Sequence, residues 1–321
     1  MPRPWSSLVS LLALASLAAT LSCSGSSQSG GALVVRITTD MQAPKDFDVL
    51  SVFVAEEGTV KLDYLGRVLP DGTVALPATV ALVAPSGPNP PANLATVQLA
   101  GANASVHVRV TAFLGQAARV VRDVVTTVPG DRTALLNVPI DLLDDGSAMG
   151  TLPANLVPSP PAADGATTFD PTTVTSACAV AMGLTSLDGL CASANIDSSA
   201  LPPYGAGDSG ALACFDTATC LAGSTPVAGL DSSTCSFPLP AGADASHMNL
   251  ALVTPSIGAC LTAGQCFVPL PEDPSGGWSL VQGMVQLAPG VCRQLLGGAT
   301  LRMSTGACAA DGPAQSVCQA T

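Results

Sequence analysis

From Ala32 to Ile140 apolar residues recur at every second position in short runs, the pattern of a strand with one face on a core. The clearest run is Ser105–Phe113, where Val106, Val108, Val110 and Ala112 point one way and His107, Arg109 and Thr111 point the other, toward solvent. Seven more short apolar runs read as strands: Ala32–Thr38, Val49–Ala55, Thr59–Tyr64, Ala78–Val83, Ala95–Leu99, Arg119–Thr127 and Thr133–Ile140. Turn chemistry separates them at Glu57-Gly58, Pro70-Asp71-Gly72, Pro85-Ser86-Gly87-Pro88 and Pro129-Gly130-Asp131. Strands so closely spaced, with no helical period between them, predict a β-sandwich over 32–140, immunoglobulin-like or transthyretin-like.

The alternation stops at Asp141. Residues 141–176 carry Asp144-Asp145-Gly146, Pro153, Pro158-Ser159-Pro160-Pro161, Gly165 and Pro171, and proline sustains neither strand nor helix. The stretch is expected to be an extended linker. Residues 177–321 then form a second, mostly β domain, with strands at Asn249–Val253, Phe267–Leu270, Trp278–Leu287 and Ala299–Ser304. One helix is predicted at Pro289–Leu296, opened by Pro289 and closed by Gly297-Gly298.

Ahead of the sandwich, Leu8–Leu21 is uncharged, Arg3 precedes it, and Ser22 stands before Cys23. That is the layout of a secretory signal peptide over 1–22, too short to span a bilayer comfortably. The segment resembles a bacterial lipoprotein signal, which implies that Cys23 carries a diacylglyceryl group. It departs from that family in the order Thr20-Leu21-Ser22, where Leu usually stands three residues before the cysteine. Plain secretion, with cleavage near Ala18–Ser22, is the alternative. Ser24 at the position after the cysteine implies, by the same resemblance, the outer membrane. Residues 23–31, with their Ser- and Gly-rich run, read as a lipidated cysteine and a flexible tether.

Cysteine parity agrees with export. The chain has 11 cysteines, and setting Cys23 aside leaves an even number. These are Cys178, Cys191, Cys214, Cys220, Cys235, Cys260, Cys266, Cys292, Cys308 and Cys318, all in the second half. In an oxidising compartment they are expected to form disulfides, whose pairing the sequence leaves open. No C-x2-C occurs and the recurring spacing is C-x5-C, so zinc is not expected. Ala213-Cys214-Phe215 to Cys220-Leu221 and Ala259-Cys260-Leu261 to Cys266-Phe267 share this spacing, either as a weak repeat or by chance.

Charge narrows the partners. The formal net charge is −12, and between Arg132 and Arg293 there is no lysine or arginine. A nucleic-acid binder needs a basic patch, and the second half offers only Arg293 and Arg302, which argues against that class and against peripheral docking on anionic lipid. Two histidines, His107 and His247, are too few and too separated for a histidine metal site.

Few groups suggest catalysis. Gly207-Asp208-Ser209-Gly210 resembles the nucleophile loop of trypsin-like serine proteases, which implies Ser209 as nucleophile. Such an enzyme needs a histidine base and an orienting aspartate earlier in the chain; His107 sits mid-strand without that family's flanking residues, and His247 comes after the serine. Asp141, Asp144 and Asp145 form an acidic loop without EF-hand spacing, read as a solvated linker, and Glu272-Asp273 reads as an exposed turn. Trp278 reads as a core anchor rather than a sugar platform.

The chain also resembles secreted or surface lipoproteins of high-GC, myxobacterial type. The resemblance lies in Gly31–Ile140, with Thr39-Asp40-Met41 and Arg122-Asp123 before Val128-Pro129-Gly130-Asp131-Arg132. It continues in Cys266-Phe267-Val268-Pro269-Leu270, Gly277-Trp278 and Val285-Gln286-Leu287 to Val291-Cys292. It implies a surface location and carries no activity with it. The expectation is a non-enzymatic lipoprotein for adhesion, envelope structure or ligand binding, with no cofactor and no metal. Its partners would be the membrane, through the lipid anchor, and a surface protein or glycan. The alternative is a secreted serine hydrolase using Ser209.

Overall fold

Each of the eight predicted runs of the first half is a strand: β1 (Ala32–Thr38), β2 (Val49–Glu56), β3 (Thr59–Arg67), β4 (Ala78–Val83), β5 (Ala95–Gln98), β6 (Ser105–Leu114), β7 (Ala117–Thr127) and β8 (Thr133–Pro139). The structure is a computed structural model that describes residues 31–68, 74–76, 78–84, 95–156, 169–178, 182–205, 214–306, 308–312 and 315–319. The leader with Cys23, the tether up to residue 30, the turns at 70–72 and 85–88 and the prolines at 158–161 lie outside the described residues. Two four-stranded sheets form, β5-β4-β1-β8 and β3-β2-β6-β7. Their alternating apolar faces meet in one core, with Leu33, Val35, Leu82 and Leu136 from one sheet and Val52, Val54, Val108 and Val110 from the other. β1 and β2 lie in different sheets, and β1 runs parallel to β8, whereas the first two strands of an immunoglobulin constant domain share a sheet.

The polar face of β6 does not meet water as its alternation predicted. Thr111 is 0% and Arg109 7% exposed. The cover is the chain after β8, expected as an extended linker. Where it is described it forms 3-10 turns at Leu142–Asp144, Ala154–Leu156 and Pro171–Thr173, and a two-strand pairing of β9 (Ala148–Met149) with β10 (Thr175–Ser176). Leu152, Phe169 and Val174 pack on Val49, Phe113 and Val121 from the outer side of the sheet. The rings of Phe113 and Phe169 meet edge to face at 5.7 Å. Arg109 donates to the Pro171 carbonyl at 2.9 Å and pairs with Asp123 at 3.0 Å. Proline and glycine exclude regular structure here, but a few well-spaced apolar side chains suffice to hold an irregular chain down.

The next segment also belongs to the sandwich surface. β11 (Leu184–Leu187) and β12 (Leu190–Ser193) form a hairpin along β7. Asp123 N–H donates to Thr185 Oγ1, Val125 N–H to the Ala194 carbonyl and Ile196 N–H to the Val125 carbonyl. Leu135 N–H then donates to the Pro202 carbonyl, so the chain also lines β8.

The remaining elements are α1 (Thr217–Leu221), β13 (Thr225–Pro226), β14 (Ser236–Pro238), β15 (Met248–Thr254), β16 (Ala259–Thr262), β17 (Gln265–Leu270), β18 (Trp278–Val281), β19 (Met284–Leu287), α2 (Pro289–Leu296) and β20 (Thr300–Thr305). They build a five-stranded sheet, β13-β20-β15-β17-β16, and a three-stranded one, β14-β19-β18. Helix α2 stands where it was predicted, with Pro289 in its first turn and the Gly297 N–H closing on the Arg293 carbonyl. The single strand expected over Trp278–Leu287 is a hairpin, turned by Gln282-Gly283, both with positive φ. Trp278 is fully buried, which removes a sugar-stacking role.

All ten cysteines of this half are paired: Cys178–Cys191, Cys214–Cys318, Cys220–Cys308, Cys235–Cys292 and Cys260–Cys266. The two look-alike segments are not a structural repeat. Cys260 and Cys266 face each other across β16 and β17, while Cys214 and Cys220 each reach the C-terminal segment.

That segment returns to the first half. Val317 N–H donates to the Thr39 carbonyl at 3.1 Å, Gln42 Nε2 to the Cys318 carbonyl at 3.0 Å and Ala43 N–H to Gln319 Oε1 at 2.6 Å. Gly258 N–H donates to Asp46 Oδ2 at 2.8 Å. The halves are thus joined by a strap that Cys214–Cys318 fastens. Phe169→Ala is expected to destabilise the chain by about 3–5 kcal/mol in denaturant unfolding, the usual loss for a buried ring. A residue of a solvated linker would change it by less than about 0.5 kcal/mol.

Candidate functional site

β1 and β8 run parallel, with Thr38 opposite Pro139. The residues two places further, Asp40 and Asp141, therefore leave the sheet side by side. They bond reciprocally: Asp40 N–H donates to Asp141 Oδ1 at 3.2 Å, and Leu142 N–H to Asp40 Oδ1 at 2.8 Å. Both are half-buried and face a cavity of about 250 Å³ between the two halves.

The opposite wall brings more acid. The hairpin β11–β12 turns through Asp188-Gly189, both with positive φ, the chemistry of a type I′ turn. Asp188 reaches the cavity because Gly276 and Gly290 leave room; a Cβ at Gly290 would lie 2.0 Å from the Asp188 carbonyl oxygen. Asp273 arrives in the turn after β17 and holds Ser275 through N–H and Oγ. Asp311, in the segment after Cys308, is tied by its N–H to Asn249 Oδ1 at 3.0 Å. Asp311 is 4% exposed and its Oδ1 has no hydrogen-bond partner, and neither has Asn137 Oδ1 on the same wall.

No lysine, arginine or histidine lines the cavity among the described residues. Arg122, buried behind it, donates to the Ser186 carbonyl and is the cation that Asp144 and Asp188 feel. Asp144 accepts from Ser186 Oγ at 2.6 Å and Gly189 N–H at 3.0 Å, and its Oδ2 is unpartnered. Burial first, then neighbouring carboxylates, hold Asp40 and Asp141 well above the ordinary carboxyl range. Burial raises Asp144 as well, pushes Asp188 up to about 6 with help from Asp144 and Asp273, and pushes Asp311 up to about 7.

The acidic loop read as solvated thus divides. Asp141 and Asp144 turn inward, while Asp145 pairs with Arg119 through two contacts of 2.7 and 2.6 Å. Leu142 and Leu143, buried on the core, fix the turn that sends them there. Among the described residues no three His, Cys, Asp or Glu side chains converge closely enough to hold a metal ion between them.

The serine-protease reading finds no support in its histidines. His107 bonds Asp123 through Nε2 at 2.6 Å, the nitrogen that a triad base turns toward its serine. Asp244, Ser246 and His247 hold the residue types of a triad on one exposed turn. There Ser246 Oγ and Asp244 Oδ2 both meet His247 Nδ1, and Asp244 caps the turn, so no relay forms. Ser209 lies outside the described residues, as does the rest of 207–210. No helix among the described residues is long and apolar enough to cross a membrane.

Two other hollows are lined mainly by apolar surface. A groove of about 550 Å³ lies between the loop at 42–45 and the start of β16 at 258–261, where Lys45 is engaged by Asp46 and the Ser256 carbonyl. An apolar hollow of about 320 Å³ lies beside Cys235–Cys292, walled by Val227, Leu230, Leu295 and Leu301.

No protein family, curated protein or solved structure matches this chain.

A carboxyl with a higher pKa in the fold than in the unfolded chain gives stability that is complete below the unfolded value, about 3.9, and is lost as pH rises through the folded value. Asp188 and Asp311 therefore set a window from about pH 4 to 8. In metal-free buffer the unfolding free energy is expected to fall by a few kcal/mol from pH 5 to pH 8, and Asp311→Asn is expected to flatten the slope. The exposed capping carboxylates of Asp170, Asp197 and Asp216 are shifted downward and do not titrate there.

Proposed function

We propose that the chain is an exported, lipid-anchored surface protein that binds or supports rather than catalyses. The observation that carries the reading is the covalent frame. Every cysteine after Cys23 is in a disulfide, a state that oxidising compartments maintain and the cytosol does not. The export-type leader before Cys23 agrees with it. The engagement of His107 by Asp123 and of His247 by its own turn supports a non-enzymatic role, since both histidines of the chain are held by local partners. The cavity supports it too: its volume lies below the roughly 300–1,000 Å³ of ordinary small-molecule sites, and no histidine, lysine or cysteine lines it among the described residues. Adhesion, envelope structure and ligand binding, to a surface protein or a glycan, are the roles in keeping with such a body on an outer membrane.

Cells expressing the protein with labelled palmitate are expected to yield labelled, membrane-bound protein, and Cys23→Ser to be unlabelled and released. The purified protein is expected not to react with a fluorophosphonate. Labelling that Ser209→Ala abolishes would replace this reading with the hydrolase, and an unlabelled, released parent chain would refute the anchor.

A further inference from the structure

We infer that the Cys260–Cys266 disulfide is a redox switch: a dithiol opens it from solvent while the rest of the fold stays intact, and the groove wall formed by β16 loosens. The inference rests on the disulfide frame and goes beyond the surface-protein reading without depending on it.

Position sets this bond apart. β16 is the outer strand of the five-stranded sheet, paired on one side only, with β17. Cys260 stands opposite Cys266 in that pairing, so the bond lies within a single hairpin, turned at Ala263-Gly264. The two cysteines are 6 residues apart, whereas the other four disulfides span 13, 57, 88 and 104 residues. In the chain-entropy account the stabilisation grows with the loop closed, so this bond contributes least of the five. The fold as a whole therefore loses least when it opens.

Access favours the same bond. Cys260 is exposed, as are residues 261–265 after it, while Cys266 is buried. Cys220–Cys308 and Cys235–Cys292 contain no exposed cysteine. Cys191 and Cys214 are exposed, but their bonds tie the covering chain to β12 and the C-terminal strap to the approach of α1. Exposed disulfides are the labile ones, and structural ones resist reduction.

A thiolate of the dithiol attacks Cys260 Sγ. A new S–S bond forms there as the old one breaks, and the electron pair leaves on Cys266 Sγ, which takes a proton from water. The second thiolate of the same dithiol then attacks the mixed disulfide, and Cys260 leaves as a thiolate. The dithiol ends as a disulfide, and the cystine has taken up two electrons.

The consequence falls on the groove. Ala259, Cys260 and Leu261 form one wall of it, against Gln42 and Lys45 of the first half. The foot of β16 is held by Gly258 N–H on Asp46 Oδ2. Beyond the foot, the register of β16 on β17 shifts between Cys260 and Thr262, so backbone pairing is interrupted beside the bond. The disulfide holds the outer strand where the ladder does not, and opening it frees the wall without touching the four bonds that join distant segments.

The test is graded reduction of the purified, disulfide-bonded chain with dithiothreitol at pH 8, followed by alkylation and peptide mass spectrometry. Cys260 and Cys266 are expected to be labelled first, at a reductant concentration at least about tenfold below that needed for any other pair, with near-ultraviolet circular dichroism unchanged. Amide hydrogen exchange over 259–266 is expected to rise at that point, and exchange elsewhere to stay as in the oxidised chain. Cys260→Ser with Cys266→Ser is expected to remove this first step, and Cys214→Ser with Cys318→Ser to keep it. The labelling order is read on the parent chain and stands whether or not either variant folds. Another pair opening first would overturn the proposal, as would loss of the dichroism signal in step with Cys260 labelling. Unchanged exchange over 259–266 once the bond is open would also overturn it.

Discussion

Parallel pairing of β1 and β8 is the constraint from which the centre of this molecule follows. Their register delivers Asp40 and Asp141 to the same sheet end, and the chain then covers that end instead of leaving it in water. Two like charges about 4 Å apart in partly aqueous surroundings repel by about 4 kcal/mol, a large share of the roughly 5–15 kcal/mol by which a domain is stable. A fold that gathers Asp188 and Asp311 at the same place makes their charge costly: burial holds both above the ordinary carboxyl range, and only Asp188 feels the buried Arg122.

What holds the acid in place is largely covalent. The strap at 315–319 lies on the loop after β1, and Cys214–Cys318 ties it to α1's approach across 104 residues of sequence. Closing a loop of about 100 residues stabilises a fold by roughly 4.7 kcal/mol in the chain-entropy account. Disulfides raise the unfolded state's free energy without asking for more apolar surface, which suits a chain with 3% aromatic residues. The same frame brings Asp311 to the cavity: Cys220–Cys308 anchors the segment three residues before it, and the Asp311 N–H meets Asn249 on β15.

Strands were legible wherever one face was apolar and the other polar, because period 2 is a local property; β1 and β4 match the predicted limits, and α2 was marked by Pro289 and the glycines after Leu296. Burial of the polar face was not legible. Arg109 and Thr111 read as solvated, yet the irregular chain with Phe169 covers them, and irregular packing has no period to detect. The cavity was hidden for a related reason. Asp40 and Asp141 are about a hundred residues apart, and only the parallel register joins them. A partial signal did exist: Asp188-Gly189 between two short Leu-ended runs is a hairpin turn by composition. The ten cysteines were legible as disulfides by parity, but their pairing, and so the strap, depends on tertiary structure.

The central claim is that the two halves form one body around a shared acidic cavity instead of two beads on an extended linker. Small-angle X-ray scattering of the oxidised chain tests it most directly. Size scaling for one compact body of this length gives a radius of gyration of about 19 Å, whereas two separate domains on a flexible linker would give about 30 Å. A value close to the first, with a single-body distance distribution, is the result the account predicts; a value close to the second, with two resolved maxima, would contradict it.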